Sequence, residues 1–173
     1  MNEDAPGFPS APDDAFWMAR ALDEARLAYA LGEVPIGAVI VQNGQVIGRG
    51  HNTRNTEKNP LHHAEILAID QAAAAVGDWR LEDCTLYVTV EPCPMCAGAL
   101  VQARIPRVVF GVYNPKAGCG GSIYNLLQEP RFNHQLEVVS GVGEADCREL
   151  MQRFFKDLRA RKQAQPTPPP QEI

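Results

Sequence analysis

Two short clusters of metal-ligating residue types constrain this chain more than anything else in it: His63-Ala64-Glu65, and downstream Glu91-Pro92-Cys93-Pro94-Met95-Cys96. A neutral imidazole and two thiolates form a donor set suited to zinc, and the thiolates balance the charge of the divalent ion. Cys93 and Cys96 fall where a strand, Cys84 to Val90, is predicted to give way to a helix. Pro94 suits an early position of that helix because it has no N–H to leave unsatisfied. The positive partial charge of a helix start, together with a metal, favours both sulfurs as thiolates. His63 also lies near a helix start, just after Asn59-Pro60, in a run of helix formers that reaches Ala75. Three ligands, His63, Cys93 and Cys96, leave a fourth position for water, and an open zinc site is of the catalytic type because the ion lowers the pKa of its water to about 7. Glu65 is then the candidate proton carrier.

Other readings of the same residues stay open at this point. A C-x-x-C pair also marks a redox centre or half of a structural zinc site. Cys84, Cys119, Cys147 or His62 could close the coordination of such a site. Positions two apart on an ideal helix do not share a face, so spacing alone does not place Glu65 beside His63.

At 173 residues the chain is long enough for one domain with a real core. Five cysteines, an odd number, and a start (Met-Asn-Glu-Asp-Ala-Pro) without basic and apolar signal regions point to a reducing compartment. No apolar run reaches membrane-spanning length, so the expected protein is soluble, cytoplasmic and without a membrane partner. The net charge of −5 argues against indiscriminate nucleic-acid binding but permits a local basic patch.

The expected organisation is a flexible segment over residues 1–12, a zinc domain over 13–163, and a Pro-rich disordered tail over 164–173. The first helix should be capped by Asp13 or Asp14 and carry its core stripe on Met18, Ala21, Leu22, Ala25, Ala28 and Tyr29. Ile36 to Val41 reads as a buried strand, Asn43-Gly44 as a tight hairpin turn, and Gln45 to Gly50 as the return strand. The polar loop from His51 to Pro60 holds Asn52, whose amide either reads the edge of a base or merely forms a turn. Arg107 to Val112 is another buried strand, and the Gly-rich segment Tyr113–Ser122 after it should be flexible. That segment is no P-loop, since Gly-Lys-Ser/Thr is absent. Leu136 to Ser140 is a last strand. A long amphipathic helix from Glu144 to Lys162 closes the domain. From Arg148 onward it sets six basic residues against Glu149 and Asp157, a local +4 on an acidic protein. Those charges suit a polyanion and equally complement a helix C-terminus.

With these residues placed, the H-x-E and P-C-x-x-C pattern is that of zinc nucleobase deaminases. The chain from about Phe16 to Lys162 resembles the bacterial tRNA-specific adenosine deaminases of the cytidine/deoxycytidylate deaminase superfamily. The resemblance rests on Glu33-Val-Pro-Ile-Gly-Ala-Val39, His63-Ala-Glu-Ile66, Leu86 to Ala99, Arg104-Ile-Pro-Arg-Val-Val-Phe-Gly111, and the closing Phe154-Phe155 in a basic helix. It implies an α/β fold, a three-layer α/β/α sandwich with a five-stranded mixed sheet of cytidine-deaminase type. It also implies a homodimer whose partner helps form the RNA site, and hydrolysis of adenosine to inosine at the wobble position of an arginine tRNA anticodon. His63, Cys93 and Cys96 then hold one Zn2+ per chain, and Glu65 shuttles protons. Asn52 contacts the extruded adenine, and the backbone at Ala64 helps to position the ring. Asn114-Pro115-Lys116 departs from the family, which typically has Asp at the first of these positions; Asn114 is expected to touch the nucleotide backbone or only to shape the turn. The competing expectations are a free-base or nucleoside deaminase acting on cytosine, cytidine or guanine, and a catalytically silent RNA-binding or zinc-stabilised protein.

Overall fold

The computed structural model describes residues 13–164; the expected N-terminal segment 1–12 and the Pro-rich stretch from residue 165 lie outside the described residues. The hairpin expected at Asn43-Gly44 is present, with both residues at positive φ (49° and 70°), the pairing a tight two-residue turn requires. It joins β1 (Gly37–Gln42) to β2 (Gln45–His51). Three further strands, β3 (Cys84–Val90), β4 (Arg107–Val112) and β5 (Glu137–Ser140), complete a sheet of order β2-β1-β3-β4-β5. β1 is antiparallel to β2 and β3, while β3, β4 and β5 are parallel, so the sheet is mixed.

Helices α1 (Asp14–Ala30) and α4 (Glu144–Ala164) cover one face, and α2 (Ala64–Val76) and α3 (Pro94–Gln102) cover the other. Alternate residues of each strand serve opposite layers. Ala38, Ile40, Leu86, Val88, Val108 and Phe110 pack on Ala64, Ala68, Ala72 and Leu100. Val39, Val41, Tyr87 and Val109 pack on Met18, Ala21, Leu22 and Leu150. Burial on both faces is why these strands read as continuous apolar runs. The architecture is the expected three-layer α/β/α sandwich.

Asp13 caps α1, its side chain accepting the Phe16 N–H at 3.0 Å. α4 is helical as far as Ala164, the last described residue and two beyond the expected Lys162, since Gln163 and Ala164 are good helix formers. Residue 164 therefore belongs to the helix and not to the tail in which it was expected. Edge strand β2 lies unusually close to α2. A Cβ on Gly50 would stand 2.0 Å from the Ala64 carbonyl oxygen, and one on Gly48 would stand 2.3 Å from that of Ala68. These two glycines thus let α2 pack directly on β2. At the amino end of the parallel strands, Asp14 accepts two guanidinium N–H groups of Arg107, each at 2.8 Å, and the Tyr87 hydroxyl at 2.8 Å. Arg107 holds the Asp14 carboxyl below its ordinary range. Desolvation and the Asp14 carboxylate push the Tyr87 phenol up. No helix among the described residues is long and apolar enough to cross a membrane.

Candidate active site

The two clusters meet at paired helix starts. His63 is the N-cap residue of α2 and Cys93 that of α3, both in extended backbone, and neither helix has a side-chain cap hydrogen bond. Pro94 occupies the first turn of α3, where its missing N–H costs nothing. His63 Nδ1 lies 3.6 Å from both Cys93 Sγ and Cys96 Sγ. The three donor atoms all fall within 4.8 Å of one another, a constellation that can hold a metal ion. No fourth His, Cys, Asp or Glu among the described residues joins it. Cys84, Cys119 and Cys147 are buried free thiols elsewhere, and His62 turns to Glu57 and Asn59. A closed four-ligand site is therefore not what these residues build.

The Cys96 thiol hydrogen-bonds to Cys93 and pulls the latter's pKa down to about 4, while Cys96 is pushed up by the same contact. The hydrogen bond to Cys93 raises His63 against its desolvation. Glu65, in the first turn of α2, is 4% exposed, and burial pushes its carboxyl up to about 7. A carboxyl poised there can both take and give a proton near neutrality.

Glu65 lines a cavity of about 120 Å³ together with His63, Ala64, Asn52, Arg54, Val34 and Ile36. Val34 and Ile36 also border a groove of about 600 Å³, which runs past Tyr113, Asn114, Pro115 and Lys116 to Arg148, Gln152 and Phe155 of α4. The expected residues thus divide: His63, Glu65, Asn52 and Ala64 share the small cavity, whereas Asn114 stands in the adjoining groove. Asn52 is buried, and its amide makes only long contacts, donating to Val34 O and accepting from Arg54 N at 3.4 Å each. Such bonds are weak enough for a bound base to compete with. Ala64 is the first helical residue of α2, so its N–H has no intrahelical partner. Asn114 shapes its turn, Oδ1 accepting from the N–H groups of Lys116 (3.3 Å) and Ala117 (3.2 Å).

The loop after β4, expected to be flexible, is instead pinned. Glu91, 2% exposed, accepts N–H groups of Asn114, Gly120 and Ser122 and the Ser122 hydroxyl. Gly118 and Gly120 serve close approach, whereas Gly121 supplies a positive φ of 131°. On the other side of the cavity, buried Glu33 accepts from the Asn55 amide and from the N–H and hydroxyl of Thr56, fastening the loop that precedes His63. Sequence reasoning gave neither glutamate a role. The available signal was a lone carboxylate abutting an apolar run, Glu33 before Val34-Pro35-Ile36 and Glu91 after Val88-Thr89-Val90.

The basic helix is sorted by the structure into faces. Arg148, Gln152 and Phe155 line the groove with Lys116, and Arg159 lines a neighbouring hollow that shares Lys116 and Phe155, whereas the Arg153 guanidinium lies over the Tyr29 ring, 5.1 Å from its centroid.

Comparison with known proteins accords with this geometry. A family model described as MafB19-like deaminase matches residues 12–159. A tRNA-specific adenosine deaminase of Bacillus subtilis (strain 168) is 57% identical over 151 residues, covering 87% of this chain and 94% of that protein. A solved structure from work on A-to-I editing by tRNA:A34 deaminases at the wobble position is 42% identical. It superposes with a TM-score of 0.74 over 78% of this chain and 97% of its own. A guanine deaminase from Nitrosomonas europaea superposes with a TM-score of 0.73 over 89% of this chain and 97% of its own, at 21% identity. At that identity the likeness speaks for the fold alone.

Proposed function

The chain belongs to the tRNA-specific adenosine deaminase family, and from that premise we propose that it converts adenosine to inosine at the wobble position of a tRNA anticodon, with an arginine tRNA as substrate. The observation that carries the reading is the adjacency of the two cavities, which share Val34 and Ile36. A small cavity of about 120 Å³ lined by Glu65 adjoins, across Val34 and Ile36, a groove of about 600 Å³ lined by Lys116 and Arg148. A free base needs only the small cavity; a polyanionic strand attached to the base uses the groove as well.

His63, Cys93 and Cys96 are the residues that would hold zinc, one ion per chain. Zn–N of about 2.0–2.1 Å and Zn–S of about 2.3 Å at tetrahedral angles place nitrogen and sulfur about 3.6 Å apart, and His63 Nδ1 stands 3.6 Å from each sulfur. When bound there, zinc supplies the Lewis acidity that makes water a nucleophile near neutral pH. The remaining steps belong to the chain. Glu65 takes a proton from the attacking water and hands it to N1 of the adenine, then moves a second proton to the departing 6-amino group. One water is consumed and one ammonia released. Asn52 meets the edge of the base in place of its long contacts to Val34 and Arg54, and the free N–H of Ala64 steadies the ring. Asn114 lies beside the nucleotide backbone while its Oδ1 keeps the turn.

The catalytic unit is the domain spanning 13–163, acting in the cytoplasm as a homodimer. Exposed Ile123 and Tyr124 are apolar surface that a second copy would cover. Sequencing cDNA made from protein-treated tRNA tests the substrate. A-to-G at the wobble position of the arginine isoacceptor is expected; unchanged tRNA alongside turnover of guanine, cytosine or cytidine would overturn it.

A further inference from the structure

Among the buried acids the mechanism does not use is Glu91. Glu91 sits between the end of β3 and the Cys93–Cys96 turn, and no Lys, Arg or His among the described residues pairs with it. A carboxylate this deeply buried ordinarily needs a cation. Here one loop supplies all the compensation: Oε2 accepts from Asn114 N at 2.7 Å and from the Ser122 hydroxyl, and Oε1 accepts from Gly120 N and Ser122 N at 2.9 Å each. The loop wraps so tightly that a Cβ on Gly118 would stand 2.1 Å from Oε2. Cys119 N donates to the Pro92 carbonyl at 2.8 Å, tying the same loop to the turn between Glu91 and the first thiol.

We infer that Glu91 is a positioning residue that clamps the loop 113–122 so that Asn114, Pro115 and Lys116 form one wall of the groove receiving the RNA flanking the target base. The inference rests on the RNA-deaminase reading above. Only an acid can do this. Three of the four donors are backbone N–H groups, and a glutamine at this position would turn an NH2 toward at least one of them. The least costly orientation puts that NH2 at the Oε2 position, because Ser122 Oγ can reverse and accept. The bond sacrificed is then the one from Asn114 N, at the groove.

Glu91→Gln in the full, zinc-loaded protein therefore has a defined signature. KM for an anticodon stem-loop should rise about tenfold, the scale of one lost hydrogen bond to a charged group, while kcat stays within about threefold and elemental analysis still finds one zinc per chain. Amide hydrogen exchange should quicken across 114–122 and not across 63–68 or 93–99. Combined with Lys116→Ala, the increase in KM should fall well short of the product of the two single effects, since both act on one wall. Gly118→Ala, which crowds the carboxylate from the loop side, should reproduce the exchange pattern if Glu91→Gln fails to fold. Loss of zinc with a fall in kcat, unaltered exchange in 114–122, or a fully multiplicative double variant would each overturn the proposal. If the wild-type protein leaves tRNA unmodified, the RNA-deaminase reading falls, and the exchange measurement alone decides whether Glu91 is the clamp.

Discussion

At the carboxyl end of β3 and β4, buried carboxylates bind backbone: Glu33 and Glu91 hold N–H groups of the loops that flank the cavity. At the amino end, the half-buried Asp14 binds only side chains, the guanidinium of Arg107 and the hydroxyl of Tyr87. The first arrangement fixes the path of loops that have no regular structure of their own. The second joins regular elements to one another, α1 to β3 and β4. Polar groups near the site therefore set geometry, and polar groups away from it set stability. This division is what experiments should try to break.

The sharpest division is at the ligands. Cys96→Ala should abolish both metal content, read by elemental analysis, and deamination, and should lower the melting temperature because metal binding is coupled to folding. Glu65→Gln should keep the metal and the melting temperature yet lower kcat by at least about a hundred- to ten-thousand-fold, the range for a general acid–base group. Near-normal turnover would assign the proton transfers elsewhere.

At the other end the pattern should invert. Arg107→Met should cost about 1–2 kcal/mol in denaturant unfolding, the scale for charge-assisted hydrogen bonds discounted for partial exposure, with kcat and KM unchanged. The sign of the pH dependence follows from Asp14, whose folded pKa is depressed by Arg107. Its contribution is present above the unfolded value of about 3.9 and is lost as pH falls through the lower folded value. Asp14→Asn should therefore be less stable than wild type at neutral pH and converge with it in acid; an unchanging gap across that window would show that the pair does not act through ionisation.

Smaller effects sharpen the groove. Arg148→Ala with Arg159→Ala should weaken stem-loop binding and reduce the salt slope by about 0.7–0.9 for each phosphate that is no longer neutralised. Arg153→Ala, over the Tyr29 ring, should leave the slope as it was. Smallest of all, Asn114→Asp keeps an acceptor for the Lys116 and Ala117 N–H groups but adds a negative charge beside the groove. A few-fold rise in Kd without a change in melting temperature is expected, read by titration of a labelled stem-loop.

The strands β1, β3 and β4 were legible because two-sided burial writes apolar runs, and the hairpin because Asn43-Gly44 suits positive φ at both positions. The cluster of His63, Cys93 and Cys96 was legible because each sits at a helix start that Pro60 and Pro94 announce. The walls of the cavity were less so. Val34, Ile36 and Arg54 enter it through a segment before β1 and a loop after β2, whose adjacency is set by the sheet and not by local pattern. The loop 113–122 was misjudged for a related reason: its glycines look permissive in isolation, and only the position of Glu91, more than twenty residues upstream, turns Gly118 and Gly120 into a requirement for close packing.

The empty caps of α2 and α3 bear on how long the protein lasts in a cell. A polar N-cap side chain typically contributes about 1 kcal/mol to its helix, and here both N-cap positions carry ligand types that make no cap bond. An ion held by His63 and Cys93 would instead tie the two helix starts to each other, a cross-link that stabilises through its coupling to folding and not through cap hydrogen bonds. A chain short of metal would then fray first at 63–68 and 93–99, while the amino end of the sheet stayed closed. Proteases cut at such openings, so the abundance of this chain should follow zinc supply, with starved cells losing the protein as well as its activity.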